Sequence, residues 1–169
     1  LIAEAANKGA RLCVLPELCL SEFFPQRKDQ SYFSYAEDLE GETIREFCDL
    51  AKKTKCHLVV PLFEKCLPWN YYNSAVLISD KGEVSGVYRK THIPFTSSYE
   101  KYYFTPGNEF PVFETGLGRL GILICYDRRF PEAWRCLVQQ GAYLIVNLIA
   151  SWSYQQRSEK GIWDAELKT

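Results

Sequence analysis

The feature of the sequence that most constrains its fold is an apolar run near the C-terminal end, Tyr143–Ile149, which only Asn147 interrupts. A run of this length matches a strand better than a helix. Strands this apolar are typical of sheets that are covered on both faces. We therefore expect helices or a second sheet to pack against both sides of this segment.

The rest of the chain alternates helical and strand patterns. Apolar residues at helical spacing predict helices over Thr43–Lys53 and from Pro131 to Gly141. Short apolar runs bounded by turn residues predict a buried strand at Arg11–Leu15 and further strands at Cys56–Phe63, Asn73–Ser79, Val84–Arg89, Pro111–Glu114 and Gly121–Cys125. This order predicts an α/β domain built of layers.

The composition is that of a soluble globular protein. The chain has 169 residues, of which 47% are hydrophobic and 24% charged, with a net charge of −1. This balance lacks the basic excess with which proteins bind nucleic acids or anionic membranes. No apolar stretch approaches the roughly 18 residues that span a bilayer. We expect neither a nucleic-acid nor a membrane partner.

The cysteines do not form a metal or disulfide pattern. There are seven of them, no two in C-x-x-C spacing, and the only histidines are His57 and His92. This argues against a zinc ribbon and against a disulfide scaffold. We expect reduced, mostly buried thiols, no metal and a cytoplasmic location.

Both ends of the sequence have helical patterns. The chain contains no methionine, opens with apolar residues at helical spacing over Leu1–Ala6, and closes with a second helical pattern over Gly161–Thr169 that has no stop signal. We expect residues 1–169 to be a single domain that is incomplete at both ends.

Three ionisable residues stand where predicted strands end: Glu17, Lys90 and Cys125. In α/β sheets the carboxyl ends of strands border an open crevice where reactive groups gather. A thiol needs a base or a nearby cation to act as a nucleophile at neutral pH. Taken singly, each residue is more often structural. Together, they indicate a nucleophilic thiol with a carboxylate base and a lysine that stabilises an oxyanion.

The segments around these residues resemble a known family. Leu15–Pro25 reads LPELCLSEFFP, Tyr88–Pro94 reads YRKTHIP, and Ile124–Glu132 reads ICYDRRFPE. They look like the three signature segments of the nitrilase superfamily of carbon–nitrogen hydrolases, and they occur in the family's order. The resemblance covers essentially the whole chain.

The resemblance implies an α/β fold, a four-layer αββα sandwich, present here as a truncated piece. It also implies hydrolysis through a covalent thioester, with Cys125 as nucleophile, Glu17 as general base and Lys90 as oxyanion stabiliser. Glu100 matches a second glutamate that many members place beside the lysine and the thiol. The Tyr126 backbone N–H would complete the oxyanion hole. The family needs no metal or organic cofactor.

The segments look most like the N-carbamoyl branch of the family, which implies a small ureido substrate and release of ammonia and carbon dioxide. In that branch, arginines at the positions of Arg128 and Arg129 hold the substrate carboxylate. His92 is expected to contact the substrate or to orient the Lys90 segment. The full-length protein is expected to be a homo-oligomer. The run Asn147–Trp152 departs from the small-residue or proline turn common in the family, so the substrate itself stays open.

Three alternatives remain. The first is an ω-amidase or aliphatic amidase of the same superfamily, and the second is an inactive truncated homologue with a non-catalytic role. The third is a Cys–His hydrolase of the papain type, for which His57 and His92 are the only candidate bases, and neither lies in a matching context.

Overall fold

Two β-sheets form the centre of the molecule. The structure is a computed structural model and describes residues 1–67, 69–95 and 98–150. The first sheet contains, in spatial order, β1 (Leu12–Val14), β2 (His57–Leu67), β3 (Asn70–Ile78) and β4 (Val84–Arg89). The strands β1 and β2 are parallel, and β3 is antiparallel to both of its neighbours. β3 and β4 form a hairpin, and they correspond to the strands predicted at Asn73–Ser79 and Val84–Arg89.

The second sheet has three strands in chain order: β5 (Val112–Thr115), β6 (Gly118–Ile124) and β7 (Leu144–Leu148). β5 and β6 form an antiparallel pair, and β6 and β7 are parallel. The parallel pair requires a crossover, which a helix supplies after β6.

The helices are α1 (Ile2–Asn7), α2 (Glu42–Thr54), α3 (Glu100–Tyr103) and α4 (Pro131–Gln139). Proline at the first position of α4 is favourable because its fixed φ suits a helix and its missing N–H would be unpaired there. Short 3₁₀ segments lie at Phe24–Gln26, Gln30–Tyr35 and Cys125–Arg129. The first two contribute Phe24 and Tyr32 to a mostly aromatic cluster, which we call the aromatic cluster. Its buried members are Leu18, Phe24, Tyr32, Phe63, Ile93, Tyr103 and Phe104.

Alternation along β2 shows how the layers are arranged. Leu58, Val60 and Leu62 pack with Ile44 and Ala51 of α2 on one face of the first sheet. The intervening Val59 belongs to a different cluster, which lies between the two sheets. The period of two along a strand therefore places one set of side chains under the helices and the other against the second sheet.

The second sheet is covered in the same way. Ile122 and Ile124 of β6 pack toward the first sheet, whereas Leu123 packs with Ala133 and Leu137 of α4. The order of layers is therefore helix, sheet, sheet, helix. This confirms the αββα class expected from the resemblance.

One expectation about strand burial was wrong, and another was confirmed. β7 is covered on both faces as expected, since Val146 and Leu148 pack between the two sheets and Ile145 packs against α4. We expected β1 to be buried, but among the described residues it is the edge strand of its sheet, and Val14 is exposed. An edge strand has a neighbour on one side only, so an apolar sequence does not by itself bury it. The helical pattern over Gly161–Thr169 lies outside the described residues.

Within the part of the chain that the structure describes, no helix has the length and apolar character needed to cross a bilayer.

Ile122 offers a test of the two-sheet core. Its side chain is completely buried between the sheets. Ile122→Ala is expected to lower the free energy of unfolding by about 2 to 5 kcal/mol, because it removes buried methyl groups and leaves a cavity. Urea unfolding followed by circular dichroism measures this. The control is Val138→Ala on the exposed surface of α4, for which we expect a change of about 0.5 kcal/mol or less. Equal effects at the two positions would contradict the packing described.

Candidate active site

Three strand ends bring the predicted residues together. Glu17 follows β1, Lys90 directly follows β4, and Cys125 directly follows β6. The Nζ atom of Lys90 lies 2.7 Å from Oε1 of Glu17, and both side chains are fully buried. Cys125 borders the same pair, since the charges of both groups act on its thiol. Residues that are 73 and 35 positions apart in the sequence therefore form one cluster.

Lys90 lies between two carboxylates. Its Nζ donates to Glu17 Oε1 and, at 2.5 Å, to Glu100 Oε2. Burial disfavours the ammonium, but the two carboxylates outweigh it and raise the pKa of Lys90. Burial raises the pKa of Glu100, while the lysine partly opposes the shift. The structure thus places Glu100, predicted from the resemblance alone, in direct contact with the lysine.

Two further groups hold Glu17. The side-chain amide of Asn73 donates to Oε1 at 2.8 Å, and the backbone N–H of Ala150 donates to Oε2 at 3.0 Å. Both carboxylate oxygens therefore accept hydrogen bonds, which fix the orientation of the Glu17 side chain. Sequence reasoning missed Asn73. Its role could not be found in the sequence, because its burial and its bond to Glu17 arise only from the packing of distant segments.

The nucleophile candidate occupies an unusual backbone conformation. Cys125 has φ +46°, in the left-handed region that residues with a side chain rarely adopt. It begins the 3₁₀ segment after β6, so its side chain leaves the strand rather than continuing the pleat. Strained residues of this kind persist only where the surroundings hold them in place, and they are common at functional sites.

The thiol of Cys125 is neutral at physiological pH. Burial, together with the charge of Glu17 and a hydrogen bond to it, raises the pKa of Cys125 to about 11, although Lys90 and Arg128 oppose the shift. Arg128 donates through Nη1 to the Cys125 carbonyl oxygen at 2.7 Å and lies 3.5 Å from Sγ. The structure therefore places Arg128 against the thiol itself.

The remaining predicted residues lie around a cleft of about 650 Å³. His92 and Tyr126 line it together with Phe130, and the His92 ring stacks on Phe130 at 3.6 Å between centroids. Arg129 is exposed, and its guanidinium lies over the Tyr126 ring at 5.5 Å. Tyr126, on the wall of the cleft, directly follows Cys125 in the sequence.

His92 is engaged elsewhere than at the thiol. Its Nδ1 lies 2.8 Å from Asp127 Oδ1, and its backbone N–H donates to the same oxygen at 2.9 Å. His57 lies at the start of β2, where Nε2 is 3.8 Å from Asp80 Oδ1. Neither arrangement resembles a Cys–His pair. Across the described ranges there is no group of three histidine, cysteine, aspartate or glutamate residues suited to a metal.

Comparison with known proteins decides the family. The family model described as "Carbon-nitrogen hydrolase" matches residues 1–166. The chain belongs to the carbon–nitrogen hydrolase family. The crystal structure of a carbon–nitrogen hydrolase from Helicobacter pylori G27 superposes on it with a TM-score of 0.83 and 33% sequence identity, covering 97% of this chain and 59% of that one.

Curated relatives of this carbon–nitrogen hydrolase chain include an N-carbamoylputrescine amidase and a citrullinase. N-carbamoylputrescine amidase from Arabidopsis thaliana is 38% identical over 148 residues, covering 86% of this chain and 49% of the relative. Citrullinase from Francisella tularensis is 36% identical over 152 residues, covering 86% and 51%. The chain thus spans about half the length of the curated relatives it matches.

The raised pKa of Cys125 predicts how its alkylation depends on pH. A thiol with a pKa of about 11 is ionised in about one molecule in ten thousand at pH 7. The rate of modification by iodoacetamide should therefore rise about tenfold per pH unit from pH 7 to 10, without the levelling expected of a free cysteine near pH 8.5. Peptide mass spectrometry distinguishes Cys125 from the other six cysteines.

Glu17→Gln should move this profile to lower pH, because it removes a negative charge that disfavours the thiolate. Glu22→Gln is the matched control, since Glu22 bonds to Tyr32 in the aromatic cluster and is not among the groups that shift the thiol. A profile that is unchanged in Glu17→Gln, or moved equally in both variants, would show that Glu17 does not act on the thiol.

Proposed function

We propose that the protein hydrolyses the carbon–nitrogen bond of a small amide or ureido substrate through a covalent bond to Cys125. The observation that carries this proposal is the buried Lys90 ammonium, held between Glu17 and Glu100 beside a neutral thiol. A cation, a base and a nucleophile are thereby confined to one site in which electrostatic interactions are strong.

In the first step, Sγ of Cys125 attacks the substrate carbonyl carbon while Glu17 accepts the thiol proton. The raised pKa of the thiol means that the proton stays on sulfur until the carbonyl is in place. Proton transfer during attack then provides the nucleophile without a standing thiolate.

The carbonyl oxygen becomes an oxyanion in the tetrahedral intermediate. Lys90 supplies a full positive charge, and the Tyr126 backbone N–H, directly after the nucleophile, supplies a second donor. Glu100 keeps the lysine charged and oriented, because it binds Nζ on the side away from Glu17. Preorganised donors of this kind contribute most to the rate when they are shielded from water.

Collapse of the intermediate breaks the carbon–nitrogen bond, and the leaving nitrogen takes the proton held by Glu17. A water molecule then gives its proton to Glu17 and attacks the acyl carbon, and sulfur leaves as the thiol. For an amide the products are an acid and ammonia. For a ureido group the acyl product is a carbamic acid, which decomposes to an amine and carbon dioxide.

The names of the relatives favour a ureido substrate. N-carbamoylputrescine and citrulline both carry a terminal ureido group, and both relatives cover most of this chain. We propose an N-carbamoyl amino acid or amine as substrate, with Arg128 and Arg129 near a substrate carboxylate and His92 on the cleft wall. An arginine guanidinium suits a carboxylate because of its planar fork of donors. We also infer a cytoplasmic, homo-oligomeric full-length enzyme that needs no cofactor.

Replacing the nucleophile tests the reaction. Cys125→Ala is expected to reduce ammonia release from N-carbamoyl substrates by at least about 10⁴-fold, because no covalent intermediate forms. Cys136→Ala, on the exposed surface of α4, should retain wild-type turnover. Circular dichroism and thermal unfolding should show both variants folded. Wild-type activity in a folded Cys125→Ala variant would refute the mechanism.

Substrate selectivity tests the arginine assignment. Arg129→Ala is expected to raise KM for an N-carbamoyl amino acid about tenfold or more, because it removes a charge-assisted contact with the carboxylate, and to leave a neutral primary amide unaffected. Arg135→Ala on the exposed face of α4 is the matched control. Equal turnover of simple amides and N-carbamoyl acids by the wild type would instead assign the protein to the amidases.

A further inference from the structure

Asp127 is a completely buried carboxylate that accepts four hydrogen bonds. Oδ2 accepts from the Tyr88 hydroxyl at 2.6 Å and from the Ile124 backbone N–H at 3.0 Å. Oδ1 accepts from the backbone N–H of His92 at 2.9 Å and lies 2.8 Å from its Nδ1. None of the steps proposed above uses this group.

The partners of Asp127 lie on both sides of the reacting groups in the sequence. Tyr88 precedes Lys90 by two residues and His92 follows it by two, so the carboxylate holds the segment that carries the lysine at both ends. Ile124 directly precedes Cys125. A single side chain therefore connects the strand end that presents the ammonium with the strand end that presents the thiol.

The four contacts require an acceptor at both carboxylate oxygens. Each carboxylate oxygen faces two hydrogen-bond donors, so a donor group such as NH₂ does not fit in place of either oxygen. An asparagine amide has nearly the same shape, but its NH₂ group would face the donors of Tyr88 and Ile124, or those of His92. The site therefore distinguishes aspartate from asparagine by hydrogen bonding rather than by volume.

The contacts also hold the backbone before Cys125 and the ring of His92 in place. Cys125 holds a left-handed backbone conformation, and the bond from Ile124 N–H anchors the residue before it. The His92 ring is fixed on one edge by Asp127 and on one face by Phe130, with an interplanar angle of 7°. The Nδ1 edge of the His92 ring therefore faces Asp127.

We propose that Asp127 is a positioning residue, which sets the distance between the Lys90 ammonium and the Cys125 thiol by binding both of their backbone segments. This inference rests on the proposed function, in which those two groups act on the same carbonyl. Small displacements of reacting groups cost about 10²-fold in rate. Loss of the Asp127 carboxylate should therefore lower the rate of the chemical step rather than weaken substrate binding.

The test compares Asp127→Asn and Tyr88→Phe with a matched control, Ser74→Ala. Ser74 donates to buried Glu64 at 2.6 Å, the same distance as from Tyr88 to Asp127, so each hydroxyl deletion removes one buried bond to a carboxylate. Tyr88→Phe also removes the weaker contacts of the hydroxyl with Thr91, at 3.3 Å from its backbone N–H and 3.4 Å from its Oγ1. We expect kcat for an N-carbamoyl substrate to fall about 100-fold in Asp127→Asn and about tenfold in Tyr88→Phe, with KM within about threefold of wild type. Ser74→Ala should stay within about twofold.

Alkylation of Cys125 gives a readout that does not need turnover. Tyr88→Phe changes no charge, so a change in the rate or pH profile of iodoacetamide modification reports a displaced Lys90 or Glu17. We expect a change of about threefold or more at pH 8 in Tyr88→Phe and none in Ser74→Ala. If Asp127→Asn does not fold, Tyr88→Phe alone decides the question.

The outcomes separate the two proposals. If iodoacetamide alkylates Cys125 of the wild-type protein as expected but the protein hydrolyses no amide or ureido compound, the proposed function is refuted. The alkylation comparison still tests Asp127 in that case. Unchanged kcat and unchanged alkylation in folded Tyr88→Phe would overturn the positioning role. A rise in KM at constant kcat would do the same, since it would assign Asp127 to substrate binding.

Discussion

The interaction on which the site depends is the pairing of the buried Lys90 ammonium with two carboxylates. A charge without a partner in the core of a protein is strongly unfavourable, so this lysine is stable only while Glu17 and Glu100 remain beside it. With the nearby Arg128, the cluster holds two negative and two positive side chains around a neutral thiol. Charge neutrality of the whole group allows it to be buried, although each member alone would be excluded.

The two-sheet architecture produces this cluster by geometry. Strands that run in the same direction end at the same edge of a sheet, and β1, β4 and β6 all deliver a site residue there. The first sheet contributes the carboxylate and the lysine, and the second contributes the thiol. The apolar cluster between the sheets, built around Val59 and Ile122, therefore determines how closely the Cys125 thiol approaches Glu17.

Much of this was predictable from the sequence, and the remainder was not, for physical reasons. Glu17, Lys90 and Cys125 could be found because each follows a strand that its own apolar pattern identifies. Asn73 and Asp127 could not be assigned, since a polar residue's partners depend on how distant segments are packed. The exposure of Val14 in β1 was missed for a similar reason, because strand order within a sheet is a tertiary property that an apolar run does not encode.

The high pKa of the Cys125 thiol has a consequence for the chemical durability of the protein. Peroxides and electrophiles attack thiolates rather than thiols, so a cysteine that stays protonated at rest is protected from them. Cys66 and Cys136 are exposed and would meet such reagents first. In the proposed mechanism, where the proton leaves only when a carbonyl is in place, the same arrangement of charges would give Cys125 both selectivity for its substrate and resistance to oxidative damage.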